Sequence, residues 1–264
     1  MASDFTKYGP WALVTGASAG LGAEYSRQLA AKGLNIVLVA RRKDRLETLA
    51  SEIESAHGVE TRIVIADLTE DGQCRQVIEG TADLEVGLLV NNAGYGMSGY
   101  YHQLDPEGQV KMTVLNCVVP VLLTNHYLPK MIERSRGGLI FLASTAGYQA
   151  CASFGTYGAT KAFNLMLGES LWKECKGTGV DSLAVSPGFT KTEFTDVAKI
   201  KDAGMFRVAT AEGVVSASLR NLGKRPSFVH GWLNKMLNFT VRISPRRVVI
   251  AITHAMLKGR SELA

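Results

Sequence analysis

The stretch TGASAGLG, residues 15–22, directly follows the apolar run WALVT and holds three glycines within seven residues. Gly16 and Gly20 let a turn adopt backbone conformations that are closed to other residues, and Gly22 lets the following helix pack closely. A helix that begins at such a turn offers free N–H groups and a favourable dipole to a pyrophosphate. The spacing Gly-x-x-x-Gly-x-Gly after a first strand therefore predicts a dinucleotide-binding turn.

The same letters also contain Gly-x-Ser-x-Gly, which in serine hydrolases places the nucleophile on a strand-to-helix turn. A hydrolase would need an acid and a histidine later in the chain, and His230 or His254 could serve. That alternative leaves Gly22 and the pair Tyr157 and Lys161 without a role. The dinucleotide turn is therefore the favoured interpretation.

Short apolar runs alternate with longer helical patterns along the chain. The predicted strands are 11–15, 35–40, 62–66, 87–91, 138–143 and 180–186. The predicted helices lie near 20–32, 42–57, 70–80, 106–133 and 156–176. Strands that are apolar on both faces and separated by helices indicate a parallel sheet covered on both sides. We therefore predict one α/β domain over residues 1–264, a doubly wound Rossmann-type parallel sheet of about seven strands with helices on both faces.

The regular alternation stops after Gly188. Helical patterns near 195–203, 210–221, 231–240 and 244–258 then surround one short apolar run, SFVHG. The range 193–240 holds apolar side chains that suit an apolar substrate or, equally, a core: Met205, Phe206, Trp232, Met236, Leu237 and Phe239. We predict that 193–240 forms a mobile helical lid over the substrate.

Composition and charge exclude several other classes. The 264 residues are 46% hydrophobic and 20% charged, and the N-terminus has no apolar signal core, so we expect a cytoplasmic protein without a transmembrane segment. Four widely spaced cysteines and five scattered histidines predict neither disulfides nor a metal site. From Lys191 onward there are 13 Lys and Arg against 5 Asp and Glu. No nucleic-acid motif accompanies this basic segment, so a solvated face is favoured over attraction to an acidic substrate or membrane surface.

Tyr157 and Lys161 are four positions apart in GTYGATKAFN, residues 155–164, so on a helix they share one face. Their neighbours supply no competing anion. In one interpretation the tyrosine packs in the core and the lysine reaches solvent. In the other, the ammonium lowers the pKa of the phenol from about 10 and makes it a proton donor or acceptor near neutral pH.

Five motifs together resemble the short-chain dehydrogenase/reductase family: TGASAGLG, NNAG at 91–94, Ser144, YGATK at 157–161 and PGFTKT at 187–192. They occur in the family's order and at its spacing over about residues 10–192, with Ser144 preceding Tyr157 by 13 residues. The opening YGPWALVTGAS and the long C-terminal segment are similar to reductases of steroids and long-chain 3-oxoacyl groups. The resemblance implies a Rossmann-type oxidoreductase with a nicotinamide cofactor.

The resemblance implies four catalytic residues, Asn116, Ser144, Tyr157 and Lys161. Tyr157 would protonate the carbonyl oxygen as hydride arrives, Lys161 would also bond the nicotinamide ribose, and Ser144 would position the substrate oxygen. In the family the main-chain carbonyl of the asparagine binds a water that relays protons toward the lysine. Pro120 has no N–H and lies four residues after Asn116, which predicts a carbonyl without its helical partner. The alternative is an ordinary proline kink beside a packed asparagine.

The resemblance also assigns the cofactor contacts. Asp67 corresponds to the aspartate that bonds the adenine amine, and it is equally placed to cap the turn in ADLTED. Asn92 supports the sheet beside the ribose, and Thr192 contacts the carboxamide. The full predicted set is Gly16, Ser18, Gly20, Leu21, Gly22, Arg41, Asp67, Leu68, Asn92, Tyr157, Lys161, Pro187, Gly188, Thr190 and Thr192.

The end of the second strand decides between the two nicotinamide cofactors. NAD-preferring enzymes carry an acid there for the ribose 2′-hydroxyl, whereas this chain has Ala40 and Arg41. A guanidinium suits a 2′-phosphate, with Ser18 and Arg42 as further partners. The alternative is that Arg41 merely begins a basic helix. The pattern favours NADP(H).

The sequence therefore predicts an NADPH-dependent carbonyl reductase that transfers hydride to a ketone of an apolar substrate such as a steroid, a 3-oxoacyl derivative or an aromatic ketone. Three alternatives remain: an alcohol or hydroxysteroid dehydrogenase working in oxidation, a non-catalytic NADP-binding regulator, and the serine hydrolase. We expect a small-molecule carbonyl substrate, no nucleic-acid partner, and a homodimer or homotetramer formed through the helices at 106–133 and 156–176.

Overall fold

A computed structural model describes residues 5–194, Ala198 and 208–257. Seven parallel strands form one sheet in the order β3-β2-β1-β4-β5-β6-β7. The strands are β1 (Trp11–Thr15), β2 (Asn35–Ala40), β3 (Thr61–Ile65), β4 (Val86–Asn91), β5 (Gly137–Leu142), β6 (Val180–Ser186) and β7 (Ser227–Val229). The chain order reverses between β1 and β4, and this position in an open α/β sheet is where ligands bind.

Helices cover both faces of this sheet. They are α1 (Gly20–Ala30), α2 (Lys43–His57), α3 (Gln73–Glu79), α4 (Pro106–Thr113), α5 (Val119–Glu133), α6 (Gly155–Glu174), α7 (Ala211–Asn221), α8 (Trp232–Ile243) and α9 (Arg246–Leu257). The predicted Rossmann-type architecture is thus confirmed. Each strand predicted from the apolar runs agrees with the structure to within one residue at either end.

The sheet is stabilised by two apolar layers, one on each face. On one face, side chains such as Leu38, Leu88 and Ile140 pack against α1, α2 and α7. On the other face, Leu13, Leu89 and Phe141 belong to a cluster with side chains of α3, α5 and α6. Because β1, β4 and β5 are buried along their whole length, they read as continuous apolar runs in the sequence.

The sequence predicted a single helix near 106–133, but the structure divides this range into two α-helices. Asp105 caps α4 by accepting from the backbone N–H of Gly108 at 2.8 Å, and α4 ends at Thr113. A π-helical turn, Val114–Val118, then separates α4 from α5. Pro120, in the first turn of α5, has no N–H to continue a regular α-helical ladder across this junction. Such π-helical turns are frequent at functional sites.

The predicted lid over 193–240 is too wide. Within that range α7 packs on α1, Val214 and Val215 are fully buried, and the Tyr25 hydroxyl donates to Ser218 Oγ at 2.6 Å. Strand β7 pairs with β6. Both elements therefore belong to the core. The predicted helix at 195–203 and the candidate lid residues Met205 and Phe206 lie outside the described residues.

Two consecutive helices, α8 and α9, close the described part of the chain beyond β7. The sequence did not decide whether three apolar residues of the range 193–240 contact the substrate or belong to the core. In the structure they are exposed, by 72% for Trp232, 49% for Met236 and 63% for Phe239, so they are not core residues. No helix within the described residues combines the length and apolar character needed to cross a bilayer.

Candidate active site

A single cavity of about 800 Å³ runs along the carboxyl ends of the strands and continues between the sheet and helices α8 and α9. It brings together fifteen of the seventeen residues that the sequence assigned to catalysis or cofactor binding. The two that do not line it, Gly22 and Asn116, lie directly behind residues that do. Carboxyl strand ends are the usual ligand edge of such a sheet.

The glycine-rich turn has the shape that its sequence predicts. Gly16 and Gly20 have φ values of +68° and +54°, in the left-handed region that favours glycine. A Cβ on Gly22 would lie 2.2 Å from the carbonyl oxygen of Gly16, so only glycine lets α1 start this close to β1. The result is a cradle of backbone groups at a helix N-terminus, which fits a pyrophosphate.

Hydrogen bonds between Thr15 and the segment that begins at Asn92 fix the start of this turn to the end of β4. The Thr15 hydroxyl oxygen accepts from the backbone N–H groups of Asn92 and Ala93, each at 3.0 Å. Asn92 Nδ2 in turn donates to the Thr15 carbonyl at 2.7 Å. Thr15 was missed at the sequence level, because a threonine at the end of a β-strand has no distinctive pattern.

Arg41 and Asp67 face each other at the ends of β2 and β3. Arg41 Nη1 lies 3.4 Å from Asp67 Oδ2, and the Arg41 side chain is 72% exposed. Asp67 Oδ1 accepts from the backbone N–H and hydroxyl of Thr69 at 3.1 and 2.7 Å, so it closes a local turn. Partial burial raises the pKa of this carboxyl, but the Thr69 bonds and the Arg41 charge outweigh burial and the pKa is lowered.

Arg42 is tied to the glycine-rich turn more closely than Arg41. Its Nε and Nη2 lie 3.2 and 3.1 Å from Ser18 Oγ, and its Nη1 lies 2.9 Å from Glu193. Arg45, one turn further along α2, also pairs with Glu193. This end of the cavity therefore has two guanidinium groups, a hydroxyl and two carboxylates, Asp67 facing Arg41 and Glu193 paired with Arg42.

Tyr157 lies in the first turn of α6 and is 8% exposed. Its ring contacts Phe194, with ring centroids 5.3 Å apart, and its hydroxyl pairs with Ser144. Burial raises the pKa of Tyr157 to about 12, although the bond with Ser144 acts in the opposite direction. The expectation that the pKa is lowered toward neutrality is wrong for this structure.

Lys161 lies beside the tyrosine, as predicted, but its ammonium is bonded elsewhere. Nζ donates to the carbonyl of Leu142 at the end of β5, at 2.7 Å, and lies 5.9 Å from the centroid of the Tyr157 ring. Burial lowers the pKa of Lys161 to about 8. The shift in the pKa of Tyr157 is therefore dominated by its own burial.

Asn116 lies within the π-helical turn and is 1% exposed. Its Oδ1 accepts from the backbone N–H of Tyr95 at 3.2 Å, and its Nδ2 donates to Thr160 Oγ1 at 2.9 Å. Pro120, four residues later, has no N–H to offer the main-chain carbonyl of Asn116, as the sequence predicts. That carbonyl accepts instead from the side chain of Asn164 on α6, whose Nδ2 lies 2.6 Å away, a partner that the sequence did not reveal. Thr160 and Asn164 were missed at the sequence level.

The segment after β6 closes the other side of the cavity. Pro187, Gly188, Thr190 and Thr192 line it, as the motif PGFTKT predicts. A Cβ on Gly20 would lie 3.0 Å from Thr192 Cγ2, so this segment meets the glycine-rich turn. Such contact places the predicted carboxamide residue directly above the dinucleotide cradle.

Beyond Tyr157 the cavity is mainly apolar. Side chains of the loops and of α8 and α9 line this part: Phe154, Phe189, Phe194, Leu237, Val241, Val249, Ile252, Met256 and Leu257. Among the described residues, two polar atoms of lining side chains are buried without a hydrogen-bond partner, Gln149 Oε1 and Asn238 Nδ2. Asn238 itself is 7% exposed. Buried polar atoms are normally paired, so these two are exceptions within the described part of the chain.

The geometry agrees with comparisons to known proteins. The family model of the short chain dehydrogenases matches residues 10–202. The chain belongs to this family. It is 33% identical over 234 residues to a 7β-hydroxysteroid dehydrogenase of Collinsella aerofaciens, with 87% of this chain and 89% of that protein covered. It is also 32% identical over 237 residues to a very-long-chain 3-oxoacyl-CoA reductase of Anas platyrhynchos, with 87% and 76% covered.

Among solved structures, a short-chain dehydrogenase from Sphingobium yanoikuyae in complex with NADPH superposes with a TM-score of 0.79. The two chains are 32% identical, and 89% of this chain and 94% of that chain are covered. As a member of the short-chain dehydrogenases, the chain is an oxidoreductase that acts on CH–OH or C=O groups with a nicotinamide cofactor.

Proposed function

We propose that the chain is an NADPH-dependent carbonyl reductase whose substrate is a ketone on a large apolar body, a steroid or a 3-oxoacyl derivative. One observation carries this proposal. A proton-donating cluster of Ser144, Tyr157 and Lys161 lies between a dinucleotide cradle and an apolar space within one cavity. The relatives named above act on substrates of these two classes.

Each residue of this cluster has its own role in the proposed reaction. Ser144 Oγ and the Tyr157 hydroxyl hold the substrate oxygen, and the bound cofactor supplies the hydride. Tyr157, protonated throughout the neutral range because burial raises its pKa to about 12, donates its proton to that oxygen. Lys161 Nζ, fixed by the Leu142 carbonyl, offers positive charge next to the phenolate that remains.

Asn116 and Asn164 are assigned a supporting role. The Asn116 side chain joins the backbone of Tyr95 to Thr160 Oγ1, and Thr160 lies one position before Lys161. Asn164 fixes the π-helical turn against α6. We assign this amide network to the alignment of Lys161 and Tyr157, with any proton-relay water bound at the second lone pair of the Asn116 carbonyl.

NADPH is favoured over NADH by the groups at the end of β2. Arg41, Arg42 and Ser18 line the same end of the cavity and supply two permanent charges and a hydroxyl. Guanidinium groups make strong charge-assisted bonds to phosphate. The end of β2, residues 40–42, has no acid that could accept from a ribose 2′-hydroxyl, and Asp67 at the end of β3 is already bonded to Thr69 and faces Arg41.

The distal part of the cavity indicates the kind of substrate. Its apolar walls match a steroid nucleus or an acyl chain, and Asn238 Nδ2 is a buried donor without a partner. A ketone that carries a second acceptor oxygen would satisfy this donor. Gln149 Oε1 correspondingly accepts from a hydroxyl of the substrate.

The proposal is tested first by NADPH consumption with a panel of steroid, 3-oxoacyl and aromatic ketones. A second assay compares two ketones, one with and one without the additional acceptor oxygen that would bond Asn238 Nδ2. The Asn238→Leu variant is expected to raise KM for the oxygen-bearing member roughly tenfold, the value of one hydrogen bond of about 1.4 kcal/mol, and to leave the other member unchanged. Absence of turnover with every class in the panel would contradict the proposed function.

We also propose a homo-oligomer formed through α5 and α6 and a cytoplasmic location. Exposed apolar side chains on this part of the surface support the first: Val118, Leu122, Phe163 and Met166 are 44%, 47%, 38% and 65% exposed. The four cysteines are free thiols, which suits a reducing compartment. Analytical ultracentrifugation of wild type and of Leu122→Asp tests the interface, because a charge there should shift the protein to monomer.

A further inference from the structure

The outward side of α8 is an exposed apolar face formed by Trp232, Met236, Phe239 and Ile243. These side chains follow the spacing of four, three and four residues that places them on one side of a helix, and they are 72%, 49%, 63% and 70% exposed. The opposite side of α8 carries Leu237, Asn238 and Val241, which line the active-site cavity. Helix α8 is therefore apolar on both sides, but only the side that faces the cavity packs against the rest of the described chain.

Helix α9 also carries exposed apolar side chains. Val248 and Ile252 are one turn apart and 47% and 55% exposed. Ile252 also lines the cavity, so exposed apolar surface on α9 reaches the active site. Isolated exposed apolar residues are ordinary on protein surfaces, whereas four on one side of a single helix, as on α8, indicate an interaction site.

The charges around this exposed apolar face have one sign. Residues 213–257 contain no Asp or Glu, while the chain has exposed cations on α8, on α9 and in the turn before β7: Lys224, Arg225, Lys235, Arg242, Arg246 and Arg247. Within the part of the chain that the structure describes, none of these six side chains forms an ion pair with a carboxylate. On α8 itself, Lys235 and Arg242 each stand one position before a residue of the apolar face, so positive charge runs along one edge of that face.

We propose that α8 and α9 dock on the surface of an anionic lipid bilayer. An amphipathic helix with Trp and Phe on its apolar face and Lys and Arg beside it lies in the plane of the membrane interface, where its aromatic side chains enter the headgroup boundary. The cations meet lipid phosphates and gain from the negative surface potential. This attachment is peripheral, and it holds the mouth of the cavity against the bilayer.

A second copy of the chain fits the face less well. Two copies joined through it would bring Lys235 and Arg242 of both copies together with no acid from 213–257 to oppose them, and juxtaposed like charges are costly in an interface. A bilayer that contains anionic lipid supplies both the apolar phase and the opposite charge. The charge pattern therefore favours the membrane surface as the occupant.

The test is co-sedimentation of the full chain with vesicles of phosphatidylcholine and phosphatidylglycerol in equal amounts, compared with phosphatidylcholine alone. Binding is expected only to the mixed vesicles, and it should weaken as salt is added. The variant Lys235→Gln/Arg247→Gln should bind roughly 25-fold more weakly, at about fivefold per charge. The control Arg75→Gln/Lys173→Gln removes the same charge elsewhere and should leave binding unchanged.

The apolar half of the face has its own test. Trp232→Ser/Phe239→Ser should weaken vesicle binding at least tenfold, whereas Tyr101→Ser, which also alters a side chain that is 72% exposed, should have no effect. In the wild type, brominated lipid should quench Trp232 fluorescence, with Trp232→Phe as the reference. Equal binding to both vesicle types, or no binding to either, would overturn the proposal. So would a change from dimer to monomer in Trp232→Ser/Phe239→Ser without lipid, since the face would then belong to a second copy.

Discussion

Asn164 Nδ2 on α6 donates a hydrogen bond of 2.6 Å to the main-chain carbonyl of Asn116 in the π-helical turn. The same nitrogen also donates to the Thr160 carbonyl at 3.0 Å, and Asn164 is 1% exposed. This amide joins the turn that carries Asn116 to the helix that carries Tyr157 and Lys161. It therefore fixes three of the proposed catalytic residues relative to one another.

Removing that amide should lower the stability of the fold. Asn164→Ala leaves the Asn116 carbonyl buried without its partner, and we expect the free energy of unfolding to fall by about 1–3 kcal/mol. Asn125 is a matched control, because its Nδ2 also bonds the carbonyl four residues earlier, at 3.0 Å, but at an exposed position. Asn125→Ala should change stability by less than about 0.5 kcal/mol. Equal effects of the two changes in urea unfolding would contradict this role.

Cofactor choice should depend on both arginines at the end of β2. Arg41→Ala and Arg42→Ala each remove a charge-assisted bond to the 2′-phosphate, worth about 1.5–3 kcal/mol, or roughly 10- to 150-fold in kcat/KM for NADPH. The values for NADH should move little. Arg45→Ala is the control, because Arg45 lies in the first turn of α2, just after the two arginines, and pairs with Glu193 but does not line the cavity. A wild type that prefers NADH would refute the assignment of this end of the cavity.

Glu193 should oppose NADPH binding. It pairs with Arg42 at 2.9 Å and with Arg45, and these bonds, led by that of Arg45, lower the pKa of its carboxyl, so it is charged at neutral pH. Glu193→Gln frees Arg42 and removes an anion near the 2′-phosphate. We expect NADPH to bind about 2- to 5-fold more tightly, in line with an exposed ion pair. Glu47→Gln, which breaks the pair with Lys43 on the surface of α2, is the matched control. Weaker NADPH binding in Glu193→Gln would contradict the competition.

The buried ammonium of Lys161 should make stability depend on pH. Burial lowers its pKa from 10.5 to about 8 in the folded state. Between these values the unfolded chain binds more protons, so stability rises as pH increases, and the cost of the buried charge is full below about pH 8. From about pH 8 to about pH 10 the wild type should gain about 2 kcal/mol relative to Lys161→Met. A constant difference between the two proteins in urea titrations across this range would refute the lowered pKa.

The sequence predicted the sheet and the ligand edge because strands buried on both faces have a simple apolar pattern. The three glycines of the first turn were equally informative, since Gly16, Gly20 and Gly22 are required by backbone conformation and close packing. The π-helical turn was missed because its residues have ordinary helical composition. Asn164 was missed because its partner lies 48 residues away in the chain, a separation that no local pattern reveals.

Two errors concerned energetic balances that a sequence does not show. The pKa of Tyr157 is raised mainly by its burial, and only the coordinates show how deeply the ring is buried and that Lys161 Nζ bonds the Leu142 carbonyl. The lid was drawn too wide because α7 looks like any amphipathic helix until its packing on α1 is known. Both errors arose where the outcome depends on tertiary contacts.

The most direct test of the central claim is turnover by Tyr157→Phe with NADPH and a ketone that the wild type reduces, together with NADPH binding measured by fluorescence. The substitution removes one hydroxyl from a buried ring, so the fold and cofactor affinity should be retained. Loss of a positioned proton donor is expected to lower kcat by about 10²- to 10⁴-fold. Tyr101→Phe, an exposed tyrosine outside the cavity, should keep wild-type activity. If Tyr157→Phe retained turnover within about tenfold of the wild type while still binding NADPH, Tyr157 would not be the proton donor and the proposed mechanism would be wrong.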